Sequence, residues 1–256
     1  MVDRQAFSNL EEVTIRRNHV RIICQSSYPE DLFPNLEFLE VTDDKSAVFP
    51  LDILVRFHNL KKLELTFSSY KEIFSFEEVE KHARTLAQKL EFLLVNSCGS
   101  LIILMPPSAS FDNLKILKVS FCNKLLSLVV ASTAISLVLL EEMSIQICGE
   151  MTEIIANEGD VLEGEIIFRR LKSLELKDLR NLTCFCYGNY TLNFPLLEKL
   201  KMEDCPKMQF FSSGVLRTPK LQQASQVSQN WTKYVWECDN LNTFIKQHRE
   251  KEVSID

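Results

Sequence analysis

Residues 111–125 read FDNLKILKVSFCNKL. The apolar side chains fall at Phe111, Leu114, Leu117, Val119, Cys122 and Leu125, in steps of three, three, two, three and three. An amphipathic helix mixes steps of three and four, and a strand with one buried face keeps a step of two. Neither period covers this stretch. Only Leu117 and Val119 alternate as a strand does, which predicts a very short strand entered and left by turns.

The same spacing recurs outward from this segment. Phe7 opens FSNLEEVTI, Phe33 opens FPNLEFLEV, Phe57 opens FHNLKKLEL and Ala87 opens AQKLEFLLVNSC. Leu137 opens LVLLEEMSIQIC, Phe168 opens FRRLKSLEL and Phe194 opens FPLLEKLKMEDC. Eight copies start near residues 7, 33, 57, 87, 111, 137, 168 and 194, at intervals of 26, 24, 30, 24, 26, 31 and 26 residues. Periods in this range carrying L-x-x-L-x-L are the signature of leucine-rich repeats. The predicted fold is an α/β repeat, a leucine-rich-repeat solenoid or horseshoe. Short parallel strands form its concave face and helical or irregular arcs its convex face. The solenoid is expected over 1–211, with a polar linker and C-terminal capping segment over 212–256.

In four copies the corner after the strand holds Cys98, Cys122, Cys148 or Cys205. A small polarisable side chain with a weak S–H donor suits a buried corner lined by backbone carbonyls. These cysteines read as a ladder, one per coil, and not as disulfide partners or metal ligands. Unpaired thiols in turn imply a reducing compartment, and a cytoplasmic location is expected. The uncharged run Leu126–Leu140 is 15 residues long, short of the roughly 20 that span a membrane. It reads as a buried arc, and no integral membrane segment is predicted. The two longest copies carry insertions, of which 71–86 reads as helical and 153–165 as a solvent loop. They are either excursions that carry specificity or tolerated loop length. Past Phe211 the apolar periodicity fades until Trp231–Arg249, where Trp231, Tyr234, Val235, Leu241, Phe244 and Ile245 return at helical spacing. That segment reads as a cap over the last open coil or, alternatively, as a partner-binding helix. No cap precedes the first copy, so its coil is expected to be exposed or covered by something upstream.

Composition narrows the function. Among 256 residues, 46% are hydrophobic and 25% charged, ordinary for a globular protein. A net charge of −6 lacks the basic excess of a phosphate-binding face, so no nucleic-acid partner is expected. No apolar leader opens the chain, and the glycosylation patterns at Asn181, Asn189 and Asn230 read as unused. No phosphate loop, dinucleotide fingerprint, zinc-protease helix or nucleophile elbow occurs. His19, His58, His82 and His248 stand singly, and Cys184 and Cys186 form C-F-C without a second pair at zinc spacing. The chain is expected to be no enzyme, with no catalytic residue, cofactor or metal.

What remains is a surface. Residues flanking the inward leucines should project from the concave side. Copy by copy they are Glu12 and Thr14, Phe38 and Glu40, Lys62 and Glu64, Phe92 and Leu94. Then come Ile116 and Lys118, Glu142 and Ser144, Ser173 and Glu175, Lys199 and Lys201. Acids mark the first three copies, exposed apolar groups the centre and bases the last. An apolar centre rimmed by charge is how protein-binding surfaces are commonly built. The candidate contact residues are Phe38, Glu40, Lys62, Glu64, Phe92, Leu94, Ile116, Lys118, Glu175, Lys199 and Lys201.

FPLLEKLKMEDCPKM (194–208), SLVLLEEMSIQICGEMTEIIANEGD (136–160), FSSGVLRTPKL (211–221) and WECDNLNTFIKQH (236–248) also carry a resemblance. Together they resemble the C-terminal repeats of plant intracellular disease-resistance proteins, the coiled-coil class of nucleotide-binding, leucine-rich-repeat immune receptors. The likeness runs over about residues 5 to 250, and the G-x-I-P ending of extracellular plant repeats is absent. The resemblance implies a cytoplasmic role in defence, any contact with the plasma membrane being peripheral and made through partners. The repeats would sense a pathogen effector or a guarded host protein, and would restrain the nucleotide-binding domain of the same or a related receptor. Neither switch nor coiled coil lies within these residues, so the chain reads as a fragment, a truncated product or a stand-alone protein. The alternative is a stand-alone scaffold or substrate adaptor for ubiquitin ligation, in which similar cysteine-bearing repeats occur.

Overall fold

The computed structural model describes residues 7, 9–25, 33–74, 88–107, 109–157, 163–221, 223–227, 233–236, 241–243 and 245. Each L-x-L pair forms a five-residue strand. These are β1 (Glu12–Arg16), β2 (Phe38–Thr42), β3 (Lys62–Thr66), β4 (Phe92–Asn96) and β5 (Ile116–Ser120). After the two-residue β6 (Val129–Val130) come β7 (Glu142–Gln146), β8 (Glu153–Ala156), β9 (Glu163–Ile167) and β10 (Ser173–Lys177). They are followed by β11 (Cys184–Cys186), β12 (Asn189–Asn193), β13 (Lys199–Glu203), β14 (Phe210–Ser212), β15 (Leu216–Arg217), β16 (Gln223–Val227) and β17 (Lys233–Trp236). One ten-stranded sheet runs β1-β2-β3-β4-β5-β7-β10-β13-β16-β17. Every pairing up to β16 is parallel and in register, so Leu39 faces Leu63, which faces Leu93, and so on. The architecture is the expected leucine-rich-repeat solenoid.

The steps of three come from the corner. The residue after each of the first eight strands of that sheet is left-handed: Arg17, Asp43, Phe67, Ser97, Phe121, Ile147, Asp178 and Asp204 have φ of 50–60°. That conformation costs a non-glycine residue roughly 1–2 kcal/mol. It turns the chain inward and, from Arg17 to Asp178, aims the N–H at the last carbonyl of the next strand, as Phe67 N does at Asn96 O (3.0 Å) and Phe121 N at Gln146 O (3.0 Å). The following apolar position then drops into the corner.

Inside, the leucines of the strands are fully buried, and the phenylalanines that open the copies stack behind them. Phe7, Phe33 and Phe57 meet edge to face at 5.4 and 5.3 Å, and Phe168 stacks on Phe194 at 5.1 Å. The opposite side changes character along the chain. Short helices close the arcs at His19–Gln25, Asp52–Arg56 and Ala131–Ala134, the last within the uncharged run. Toward the C-terminus strands replace them, in a sheet ordered β14-β11-β8-β6 and another ordered β15-β12-β9.

Three expectations change. Residues 153–165 are not simply a loop, since β8 and β9 bracket that stretch and Ile154 and Ile155 are fully buried. The charges around them masked a strand. Second, the ladder continues past residue 211: β16 pairs in parallel with β13, setting Ala224 opposite Leu200 and Gln226 opposite Met202. TPKLQQASQV (218–227) is thus a further copy in which Thr218 and Ala224 stand where Phe194 and Leu200 stood. Third, Tyr234 and Val235 lie in β17, antiparallel to β16, and not in a helix. The helical part is 241–243 and 245, where Leu241 and Ile245 are buried. The remainder of the expected 71–86 helix lies outside the described residues, and 71–74 are not helical.

Candidate functional site

Register sets the outward side chains of the sheet in three rows. Glu12, Phe38, Lys62, Phe92, Ile116, Glu142, Ser173 and Lys199 form the first row. Thr14, Glu40, Glu64, Leu94, Lys118, Ser144, Glu175 and Lys201 form the second. A third row, Arg16, Thr42, Thr66, Asn96, Ser120, Gln146, Lys177 and Glu203, was missed by the reading of the L-x-L flanks alone. Strand alternation carried one step further would have found it.

At the centre Phe92 lies opposite Ile116 and Leu94 stands two residues along the same strand. These three and Phe38 are half-buried, not exposed as expected, because side chains on rungs about 4.8 Å apart shield one another. The charges around them are mostly committed to each other. Lys62 covers the Phe38 ring at 3.8 Å and reaches Glu64 at 3.4 Å. The Thr14 hydroxyl donates to Glu40 at 2.9 Å, and Lys118 pairs with Glu142 at 2.8 Å.

Toward β13 the expected basic end is a neutral network. Lys201 bridges Glu175 (2.8 Å) and Glu203 (3.4 Å), and Lys177 holds Glu203 at 2.6 Å. Ser144 Oγ and Gln146 Nε2 donate to Glu175 at 3.0 and 2.9 Å. Burial works to raise the Glu175 pKa, but Lys201 and these hydrogen bonds outweigh it and hold the carboxyl below its usual range. The hydrogen bond from Lys177 does the same for Glu203. Lys199 has no ion-pair partner among the described residues.

A groove of about 510 Å³ runs beside the first row from β4 to β13, with Phe92 and Ile116 among its lining residues. Lys115, Glu141, Lys172 and Glu198 also line it, and they belong to a row just before the strands where charge alternates: Glu37, Lys61, Glu91, Lys115, Glu141, Lys172, Glu198. Lys61 pairs with Glu37 at 2.6 Å, Lys115 with Glu91 at 2.7 Å and Lys172 with Glu141 at 2.9 Å.

The corners behind this face hold no reactive chemistry. Cys98, Cys122, Cys148 and Cys205 are buried free thiols, each donating to a backbone carbonyl, as Cys122 does to Ser120 O at 3.4 Å. Burial pushes the thiols up, to about 11 for Cys98 and Cys148 and about 12 for Cys205, so they stay protonated and unreactive. Cys184 and Cys186 lie buried in β11 as core. At the same corner of β2 and β3 stand Asp44 and Ser68, both buried. The Asp44 carboxylate accepts from Tyr70 Oη at 2.7 Å and from Ser46 N at 2.8 Å. No group of three or more His, Cys, Asp or Glu among the described residues could hold a metal ion. No helix among them is long and apolar enough to cross a membrane.

A parallel-strand solenoid presenting one broad, mixed-polarity face belongs to the class of leucine-rich-repeat domains, whose business is protein–protein contact. Residues 9–149 and 104–223 match the plant disease resistance protein RPS2-like leucine-rich repeats, and the chain belongs to that family. Among solved structures it resembles the leucine-rich repeat domain of the type III effector XCV3220 (XopL). Identity there is 17% over 84% of this chain and 78% of that one, with a TM-score of 0.45. No curated protein matches the chain.

Proposed function

We propose that this chain is the recognition and autoinhibitory repeat region of a plant intracellular immune receptor, a binding module without catalysis. The carrying observation is the central patch, where Phe92, Leu94 and Ile116 sit together between Lys62 and Glu64 on one side and Lys118 and Glu142 on the other. Apolar anchors ringed by charge concentrate binding energy at the centre of an interface. Its partner is a pathogen effector or a host protein that an effector has altered. Glu12, Glu40 and Glu64 face the nucleotide-binding domain that the repeats restrain, and a partner that engages the face releases it. Unpaired buried thiols favour a cytoplasmic setting.

Two measurements test the reading. Association with the nucleotide-binding domain of the same or a related receptor should weaken as salt is raised and fail in a Glu40→Lys, Glu64→Lys variant; association indifferent to salt sinks the autoinhibitory half. Leu94→Asp should weaken capture of the recognised protein by about tenfold or more, with unfolding unchanged. Equal capture by wild type and Leu94→Asp would remove the face from recognition.

A further inference from the structure

The left-handed corner residues line the trailing edge of the sheet, one per rung. Arginine, aspartate, serine and isoleucine serve the turn at other rungs, so the turn itself does not call for an aromatic ring. Yet Phe67 and Phe121 hold it with φ of 52° and 56° while exposing 63% and 46% of their surface. A bulky residue at such a φ is an outlier, and strain of this kind gathers at functional sites. Here it is joined to a second cost, two large rings left in water. Asparagine or glycine would turn the chain with less strain and no exposed ring.

The same edge has a charged end. Ile147 follows Phe121, then Asp178 and Asp204 occupy the next two rungs. Asp204 Oδ1 is buried without a hydrogen-bond partner among the described residues. Burial, Asp178 and Glu203 push its pKa up, against the weaker pull of Lys177 and Arg180. Lys177 is itself held by Glu203 at 2.6 Å. A cation docking over the Asp178 and Asp204 side chains would relieve this repulsion.

We infer that this edge is a second docking surface, separate from the concave face, and that its occupant is an amphipathic helix of a partner protein with two apolar side chains and a basic one in line. Phe67 and Phe121 are two rungs apart, or about 10 Å. On a helix, residues seven apart lie on one face about 10.5 Å apart. Asp178 and Asp204 stand four and five rungs from Phe67, about 19 and 24 Å along. A residue fourteen positions beyond the first apolar anchor falls about 21 Å along, between the two carboxylates. An extended peptide fits less well, because its same-face spacings fall near 6.6 and 13 Å.

The probe is an alanine-based helical peptide of about 22 residues with two leucines seven apart and an arginine seven further on. A control peptide has glutamate in place of the arginine. Fluorescence anisotropy should show the arginine peptide binding the chain at least about tenfold more tightly than the control. The Phe67→Asn, Phe121→Asn double variant should lose that binding with no fall in melting temperature, and Leu94→Asp should keep it. No binding, equal binding of the two peptides, or binding lost in Leu94→Asp but kept in the double variant would each overturn the inference. The concave-face reading stands or falls separately on Leu94→Asp and the recognised protein.

Discussion

Asp44 sits at 0% exposure because three groups hold it: the Tyr70 hydroxyl, the Ser46 amide and, on its own N–H, the Ser68 hydroxyl. Tyr70→Phe removes one donor and leaves the carboxylate short. The expected loss is about 1–3 kcal/mol in urea unfolding, and Tyr70→Leu should lose more through packing. Gly214 is fixed by contact of another kind, since a Cβ there would lie 2.2 Å from the Tyr190 carbonyl oxygen. Gly214→Ala should therefore cost about 1–3 kcal/mol by forcing the turn between β14 and β15 away from β12, again read from the unfolding midpoint. The thiol corners were legible because one residue type recurred at one spacing. Asp44 and Ser68 occupy the same corner, but a polar residue between strands reads as surface unless its partner is known. The left-handed row was illegible for a deeper reason. Arg17, Phe67, Ile147 and Asp204 share a backbone angle and no side-chain property.

At the scale of elements, the C-terminal end of the ladder stops on a side chain and a reversed strand. The Asn242 side chain accepts from Phe211 N at 2.7 Å and Ser212 N at 3.2 Å and donates to Ser212 O at 2.8 Å. One amide thus does for β14 what the next strand would otherwise do, and β17 closes the main sheet by running against it. Asn242→Ala should cost about 1–3 kcal/mol and speed amide exchange at Phe211 and Ser212 while the β4 and β5 amides stay protected. Equal exchange in both proteins would show that the amide contributes nothing. This end was only half legible. Leu241 and Ile245 announced a cap by their spacing, whereas the copy at 218–227 had lost its phenylalanine and most of its apolar strand positions. Its geometry comes from the neighbouring ladder, which propagates through backbone hydrogen bonds that need no particular side chain.

For the whole molecule, the orientation of the face was legible and its electrostatics were not. Alternation decides which side chains point outward, but which charges neutralise one another depends on register between residues about two dozen positions apart. Glu141, Glu175 and Glu203 have their pKa values lowered by lysine partners. A carboxyl whose folded pKa lies below its unfolded value of about 4.3 contributes stability above that pH and loses it as pH falls through the folded value. Burial raises Glu153 and Asp204, which act oppositely. With the three lowered glutamates and Asp43, held low by Lys45, set against those two, stability should decline as pH drops below about 4.5. The decline should be shallower in Glu175→Gln, Glu203→Gln when the urea midpoint is followed against pH.

The alternating row from Glu37 to Glu198 carries a rule of parity. Excising any single internal copy between them, such as the one bearing Lys115, would seat Glu91 beside Glu141, whereas excising two neighbours would leave every junction a plus facing a minus. Solenoids of this lineage should therefore shorten or lengthen more readily by pairs of coils than by one.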